Sequence, residues 1–486
     1  MTSGRTSPRS SDDNQGPENT PSSIPHSSGR HRSSRVVNDP SIPMANAKQF
    51  VAEEFRKNNH DLLVYSQGEF RTWGGSDWRV LEEQAVLSRL FRYFEHAVSI
   101  TAGDDGPREK AFKPTPTKMN QLLQTLKAVT YPESVRSMPS WLVDDHPVNP
   151  TAIVPMANGL LWLPQRVLWP PTPVFFNAYS LDFDYVADPP TPERWHRFLD
   201  EALGEDTEAI QLVQEWLGYL LTADTSQHKI LLMVGPPRAG KGTIGRVITK
   251  LIGDANVASF HMSDFTDSHG LHEMADKPAA LIPDARMPRG KETATAVERL
   301  LSISGEDPQS INPKNKDRYT TKLPTRITMM SNELPKLVDS SQALVTRLLV
   351  LHFRNSFLGR EDHGLDRDLE AELAGIFSWA LDGHDRLSDR GPFVQPESGQ
   401  ALVTDLAAMS SPIAAFIDEC CVVGPSERVG IDLFYKRWGD WCLDNGHIQG
   451  SKNGMLGKVR AVVHNLEVVR GSGTPRKREY VGIGLA

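Results

Sequence analysis

Ile230-Leu231-Leu232-Met233-Val234-Gly235-Pro236-Pro237-Arg238-Ala239-Gly240-Lys241-Gly242-Thr243 is the stretch that decides the fold of this chain. Its first five residues form a continuous apolar run, which predicts a strand covered on both faces. The next residues fit the pattern GxxxxGK, and an amphipathic helix follows them. Glycines let a backbone wrap closely around phosphate groups, and the amides of a helix N-terminus add positive potential there. The stretch therefore predicts an α/β fold with a phosphate-binding loop.

Nine residues of this stretch are predicted to bind ATP: Gly235, Pro236, Pro237, Arg238, Ala239, Gly240, Lys241, Gly242 and Thr243. Lys241 has the position whose ammonium group reaches the β- and γ-phosphates. Gly242 stands where a Ser or Thr that ligates Mg²⁺ usually follows the lysine, and Thr243 comes one residue later. Either the Thr243 hydroxyl reaches the ion or a water molecule replaces it.

An ATPase also needs a carboxylate that holds magnesium. Asp284 is the candidate, because it ends the apolar run 279–283 as a second core strand would. We therefore predict Asp284 and Thr243 as the metal ligands. The alternative is that Asp284 is a turn residue whose only role is to pair with Arg286.

A polar group near the γ-phosphate can orient the attacking water. Asn332 is the candidate for this role, because it follows a third strand-like run at 327–330. The residues themselves therefore favour Lys241, Asp284 and Asn332 as catalytic groups of one chain.

Composition narrows the class of protein. The chain has 486 residues, of which 39% are hydrophobic, so it is long enough for two or three globular units. No run approaches the roughly 18 apolar residues that span a bilayer, and we expect no membrane insertion. With a net charge of -8, any contact with nucleic acid has to come from a local basic patch. Cys420, Cys421 and Cys442 include no CxxC pair, which argues against a zinc ribbon and a disulfide framework.

Composition shifts divide the chain into five predicted regions. The first is rich in serine, proline and glycine and has no aromatic residue, as is typical of disorder. The regions are a disordered tail (1–48), a largely helical N-terminal domain (49–225), the P-loop core (226–387), a linker (388–412) and a winged-helix-like domain (413–486).

Two basic segments are candidates for contacts with DNA. Lys314 and Lys316 lie at the tip of a predicted β-hairpin, where they can bind backbone phosphates. Arg476, Lys477 and Arg478 precede a late strand and read as the basic wing of the C-terminal domain. The aromatic residues of that domain, at i, i+4 spacing, and Cys442 are predicted to be packing residues. For the hairpin, the alternative is a solvated charged turn.

Several of these segments, in this order, resemble the superfamily 3 helicases, and specifically the phage/plasmid primase-helicase family that includes the poxvirus nucleoside triphosphatase. The segments are the helical-domain stretch 158–222, Gly235–Thr243, Asp284, Asn332-Glu333-Leu334-Pro335 and Thr346-Arg347-Leu348. The resemblance implies an AAA+-like core with a preceding helical domain. It also implies a homo-hexameric ring that uses ATP and Mg²⁺ to translocate on DNA.

The same resemblance makes Lys241 the phosphate lysine, Asp284 the Walker B acid and Asn332 the sensor. It makes Arg347 an arginine finger that acts on the neighbouring subunit, and we count it as the fourth catalytic residue. A separate primase or replication initiator is a further candidate partner, and the expected location is the cytoplasm, that of the host if the chain is phage-encoded.

One departure from the family keeps a second function open. Many relatives have paired acids where this chain has the single carboxylate Asp284. The chain is therefore expected to be an ATP-dependent DNA helicase, with an ATP-binding origin-recognition or loader protein as the alternative. A nucleotide kinase would lack the Asn332 and Arg347 positions. The pair Asp182-Phe183-Asp184 and Ser226-Gln227-His228 resembles primase motifs, but the segment around it is too short for a polymerising domain.

Overall fold

The computed structural model describes eleven stretches of the chain. They are residues 35–103, 106–132, 137–267, 269–286, 291–314, 318–335, 337, 342–410, 412–444, 447–470 and 478–486. Within them, no single helix is both long and apolar enough to cross a bilayer, and one pair, Glu397–Ala407 with Pro412–Cys420, meets the same criteria only jointly, across a bend of 87°.

The N-terminal module combines three helices with short strands. Its elements are β1 (Arg35–Val37), α1 (Pro43–Glu54), β2 (Arg56–Lys57), β3 (His60–Asp61), β4 (Leu63–Ser66), β5 (Glu69–Trp73), β6 (Trp78–Leu81), α2 (Glu83–Phe94), β7 (Ala97–Gly103), β8 (Gly106–Ala111) and α3 (Pro116–Val129). The helices and the strand β7 enclose one apolar cluster that includes Phe50 and Phe94. The strands β5 and β6 pair antiparallel, and the turn between them contains Gly74 and Gly75.

The prediction of a disordered tail over 1–48 is wrong for its last part. Residues 35–37 form β1, which pairs in parallel with β7, and α1 begins at Pro43. Val37 and Ala47 are buried in the cluster of the module, so a few apolar residues suffice where a partner strand already exists. Residues 1–34 lie outside the described part of the chain.

The connection from the N-terminal module to the core is irregular. It contains β9 (Ser140–Trp141), β10 (Ile153–Met156), β11 (Gly159–Trp162), β12 (Val167–Trp169) and β13 (Phe175–Phe176), followed by the helices α4 (Glu193–Leu203) and α5 (Thr207–Leu221). The expectation that 49–225 is largely helical is therefore wrong, because short antiparallel strands fill 56–81 and 140–176. The turn between the antiparallel strands β10 and β11 contains Asn158 and leads directly into Gly159.

The core is a five-stranded parallel sheet. Its elements are β14 (Ile230–Val234), α6 (Lys241–Ile252), β15 (Val257–Ser259), β16 (Ala279–Ile282), α7 (Lys291–Ser304), β17 (Gln309–Ile311), β18 (Tyr319–Thr321), β19 (Arg326–Ser331), α8 (Ala343–Arg347) and β20 (Leu348–His352). The order in the sheet is β15-β16-β19-β14-β20, and β17 and β18 form the separate hairpin. The α/β prediction is confirmed.

Helices cover both faces of this sheet, which explains why strands such as β14 and β16 are continuous apolar runs. On one face, alternate residues of β14 such as Leu231 and Met233 pack with α4, α5 and α6. On the other face, Ile230, Leu232 and Val234 pack with α7 and α8.

The predicted linker 388–412 is wrong as well. The helices α9 (Leu365–Ala371) and α10 (Leu373–Arg390) are followed by α11 (Glu397–Ser410), and α11 packs on the core. Leu402, Val403 and Leu406 have helical spacing and lie against the sheet. The side-chain amide of Gln395 accepts from the backbone N–H of Val350 and donates to its carbonyl oxygen. The prolines and glycines at 391–396 end α10 without ending the core.

The C-terminal module contains three helices and a three-stranded antiparallel sheet. Its elements are α12 (Pro412–Cys420), β21 (Cys421–Gly430), α13 (Ile431–Asp444), α14 (Lys452–Val462), β22 (Glu467–Arg470) and β23 (Arg478–Leu485), with the strand order β21-β23-β22. Phe434, Trp438 and Cys442 are buried in its core, which confirms their predicted packing role. Burial also raises the pKa of the Cys442 thiol to about 11.

Candidate nucleotide-binding site

The glycines at both ends of the loop 235–240 are required by close contacts. A Cβ on Gly235 would collide with the carbonyl group of Phe353, which follows β20. Gly240 has φ +100°, and a Cβ there would lie 3.1 Å from the ring of Phe198 on α4. Left-handed backbone favours glycine. The loop is thus held between the strand edge on one side and the helical segment on the other.

Lys241 begins α6 and turns its side chain back into the loop. Its Nζ donates to the carbonyl oxygens of Gly235 (2.6 Å) and Pro236 (2.8 Å) and to Oδ1 of Asn332 (3.1 Å). Burial lowers the pKa of this ammonium group. A cation that is buried and has no carboxylate among these partners is well placed to gain from an incoming anion.

Asp284 and Asn332, the two other candidate catalytic residues, follow strands that end at the same edge of the sheet as the strand before the loop. Val234 is in register with Ser331, and the amide of Ala285 donates to the carbonyl of Met330 (2.8 Å). Because β19 lies between β14 and β16, Asn332 lies between the loop and Asp284. The parallel order therefore gathers segments that are about a hundred residues apart in the sequence.

The two predicted metal ligands, Asp284 and Thr243, each interact with a different arginine. The Asp284 carboxylate is half-exposed and pairs with Nε of Arg286 at 3.2 Å. The Thr243 hydroxyl accepts a hydrogen bond from Arg246 (3.1 Å), whose guanidinium in turn pairs with Asp366. Thr243 is two residues, or about 200°, around the helix from Lys241. Its hydroxyl is therefore bonded to a guanidinium that is itself paired with α9.

The segment that follows β20 covers the loop from outside. The Ser356 hydroxyl donates to the carbonyl of Pro237 (2.8 Å), and the amide of Phe357 donates to the carbonyl of Arg238 (2.9 Å). Nothing in the sequence of this segment identified it as a neighbour of the loop.

Arg347 lies at the opposite edge of the sheet from the loop of its own chain. It ends α8, and Leu348 is in register with Ile230, so the five residues of β14 separate Arg347 from Gly235 by about 16 Å. Its guanidinium donates to the carbonyl of Leu301 and, at 3.0 Å, to the hydroxyl of Ser304, both near the end of α7. An acid close to Arg347 in the sequence, Asp339, could pair with it instead of leaving it for a neighbouring subunit, but it lies outside the described residues.

Lys229, which lies beside Arg347, was not identified as a candidate site residue from the sequence. Its Nζ donates to the carbonyl of Thr346 (2.7 Å), and burial together with the charge of Arg347 lowers its pKa. The only signal in the sequence was its position directly before β14. Two neighbouring cations of this kind form an edge that favours anions.

The candidate DNA contacts lie on two separate surfaces. Lys314 is exposed where the β17–β18 hairpin turns, and Arg478 is exposed at the start of β23, in register with Arg470 of β22. Lys316, Arg476 and Lys477 lie outside the described residues. Like charges that face each other across two strands repel, so the arginine pair favours a bound anion.

The comparisons with known proteins add one segment match and a likeness of fold. Residues 233–347 match the model of a family of unknown function, DUF5906. This segment runs from the loop-bearing strand to Arg347.

Two solved structures of the NrS-1 C-terminal region, both described as the A form without ligand, have overall likeness to the chain. One has a TM-score of 0.46 and 11% identity over 86% of this chain and 96% of that one. The other has a TM-score of 0.48 and 11% identity over 90% of this chain and 99% of that one.

Proposed function

We propose that this chain is an ATP hydrolase that acts on DNA during replication, as a hexameric helicase of the superfamily 3 type. The observation that supports this most is the convergence of Lys241, the loop carbonyls and Asn332 at one strand edge. In this proposal the loop 235–240 binds the phosphates, and incoming ATP replaces the carbonyl partners of the Lys241 ammonium group.

In the proposed reaction, Asp284 holds Mg²⁺ and Asn332 orients the water that attacks the γ-phosphate. Because the Thr243 hydroxyl already accepts a hydrogen bond from Arg246, we propose that Asp284 and water, and not this hydroxyl, would hold the ion. Asp284 must exchange its partner Arg286 for the ion, and this exchange is favoured by the double charge of magnesium.

We further propose that Arg347 completes the site of an adjoining subunit and that Lys229 supports it. About 16 Å of strand excludes Arg347 from its own loop, whereas a neighbour in a ring can present its nucleotide to that edge. A permanently charged planar guanidinium is suited to the charge that develops during phosphoryl transfer. The C-terminal module, which we interpret as a winged helix from its order of helices and strands, and the hairpin would hold the DNA.

The partnership of Asp284 with Arg286 favours one alternative, an origin-recognition or loader protein that binds ATP and hydrolyses it slowly. The two functions differ in strand displacement. We would measure ATP hydrolysis with and without DNA, and unwinding of forked DNA, with the wild-type chain and with Lys241→Ala.

A helicase should show DNA-stimulated hydrolysis and unwinding, and Lys241→Ala should lose both while keeping its circular dichroism spectrum. Nucleotide binding without unwinding would favour the loader. Hydrolysis by Lys241→Ala at the wild-type rate would remove the assignment of the loop.

A further inference from the structure

Arg238 is held in a conformation that arginine rarely adopts. It lies in the middle of the loop 235–240 with φ +59°, in the left-handed region. Residues with a Cβ pay a conformational cost there, and glycine would not. An arginine at this point of a phosphate-binding loop is therefore kept at the expense of stability.

The side chain of Arg238 is also loosely held. It is 66% exposed, and its Nε is 3.7 Å from Oε1 of Glu361, which is longer than a hydrogen bond. Among the hydrogen bonds of the described residues, none comes from its guanidinium. The group is thus free to change partners at small cost.

Glu361, in contrast, belongs to a segment that is firmly attached. Two neighbouring acids of that segment form close ion pairs with arginines of the surrounding helices, Asp362 with Arg194 (2.9 Å) and Asp366 with Arg246 (2.9 Å). The segment is also bonded to the loop through Ser356 and Phe357. Of the three pairs, that of Arg238 is the longest, and its arginine is the most exposed.

We infer that the Arg238 guanidinium is a second phosphate-binding cation of this site, in addition to Lys241, and that Glu361 competes with the nucleotide for it. The inference rests on the proposed nucleotide site and adds a ligand and a competitor to it. A nucleoside triphosphate brings several negative charges and pairs of terminal phosphate oxygens that can accept from both arms of the guanidinium, which one distant carboxylate does not. Binding of ATP then transfers Arg238 from Glu361 to the phosphates.

The test measures two quantities for the full chain and each variant: the affinity for ATP with Mg²⁺, by calorimetry, and the temperature of thermal unfolding. Arg238→Gly and Arg238→Gln should each weaken ATP binding about tenfold, because both lose one charge-assisted contact. Arg238→Gly should unfold at the same or a slightly higher temperature, because glycine relieves the left-handed backbone. Arg238→Gln keeps that backbone cost, so a loss shared by both variants comes from the charge and not from a change in the loop.

Glu361→Gln should strengthen ATP binding by roughly twofold to threefold, the size expected for a surface ion pair. This gain should vanish when Glu361→Gln is combined with Arg238→Gln, since the competitor then has nothing to compete for. Arg367→Ala is the matched control, because Arg367 is exposed on α9 and pairs with Asp368. It should bind ATP as the wild type does.

The possible outcomes distinguish failure of the role of Arg238 from failure of the proposed nucleotide site. If the wild type binds ATP, Lys241→Ala does not, and both Arg238 variants bind like the wild type, the role of Arg238 is overturned and the nucleotide site stands. The same conclusion follows if the Glu361→Gln gain persists without Arg238. If the wild type binds no ATP, the site and the role of Arg238 fall together.

Discussion

Gly242 and Thr243 show that a shift of one position along the helix decides whether a hydroxyl is available to ligate a metal ion. In the GxxxxGK pattern the residue after the lysine usually carries the hydroxyl that ligates Mg²⁺, and here it is glycine. Thr243 has a hydroxyl, but the helix turns it towards Arg246 and α9. Under the proposed function, Asp284 and water would therefore have to hold the ion without a hydroxyl at position 242.

We predict that Gly242→Ser increases the apparent affinity for Mg²⁺ in ATP hydrolysis severalfold. Among the described residues outside this helix turn, a Cβ at 242 would meet Nη1 of Arg246 at 3.3 Å, the end of a flexible side chain that can move aside, so the serine fits. Its hydroxyl would restore a direct ligand to the ion. The measurement is the ATPase rate against Mg²⁺ concentration at saturating ATP.

Thr243→Val provides the control for this prediction, because it removes the other hydroxyl at nearly constant volume. It should leave the Mg²⁺ dependence unchanged. A strong rise in the Mg²⁺ requirement of Thr243→Val would mean that the threonine turns inward when nucleotide is bound.

At the scale of elements, a short strand or helix can be stabilised mainly by the neighbouring strand or sheet face against which it packs. β1 has three residues and exists because β7 offers a free edge. α11 has prolines and glycines before it and still belongs to the core, because its apolar stripe finds the sheet at β20. Such segments have weak patterns of their own.

Deletion of residues 1–48 should destabilise the N-terminal module. It removes β1, whose Val37 is buried, and also Asn46 and Ala47 of α1, all of which are enclosed by the module. Lost burial of apolar side chains on this scale costs about 2–4 kcal/mol. Chemical denaturation of the full chain and of the truncated chain measures the difference.

A deletion that stops at residue 34 is the matched control and should keep the wild-type stability, as the polar composition of that segment predicts. Equal stability of both deletions would show that β1 contributes nothing to the module.

Removal of one arginine of the pair in the C-terminal module is predicted to lower DNA affinity without lowering thermal stability. Arg470 and Arg478 are in register across β22 and β23 and are both exposed. Arg478→Ala should weaken binding of duplex DNA and reduce the slope of its salt dependence by about one phosphate contact. The same change should leave thermal stability unchanged or slightly higher, because it removes a like-charge pair. Unaltered DNA affinity at low and moderate salt would exclude this surface from DNA binding.

At the scale of the whole molecule, one subunit is expected to hold only part of an active site. The loop is at the carboxyl edge of the sheet, and Arg347 with Lys229 is at the amino edge. A ring that places these edges together would build each site from two chains.

Mixing of two inactive variants tests this arrangement. Arg347→Ala and Lys241→Ala should each lose hydrolysis, with the loss for Arg347→Ala on the order of a thousandfold. Mixed rings should recover part of the activity, because an intact Lys241 then meets an intact Arg347 across an interface. The measurement is the ATPase rate over a series of mixing ratios, with subunit exchange confirmed by fluorescence. Recovery at no ratio would show that Arg347 does not act between subunits.

The sequence by itself determined the elements whose patterns are local. The apolar run 230–234, the GxxxxGK loop and the helix after it have their meaning within about twenty consecutive residues, and β16 and β19 were predicted for the same reason. Loop glycines and strand burial are properties of the chain near each residue, so they could be identified without a partner.

Only the tertiary structure decided which distant residues meet. Asn332 contacts Lys241 because β19 lies beside β14, and Lys229 joins Arg347 because β20 lies on the other side. Glu361 meets Arg238 because the chain after β20 folds over the loop. Strand order and cross-segment ion pairs depend on packing between elements that are far apart in sequence, and no local pattern contains that information.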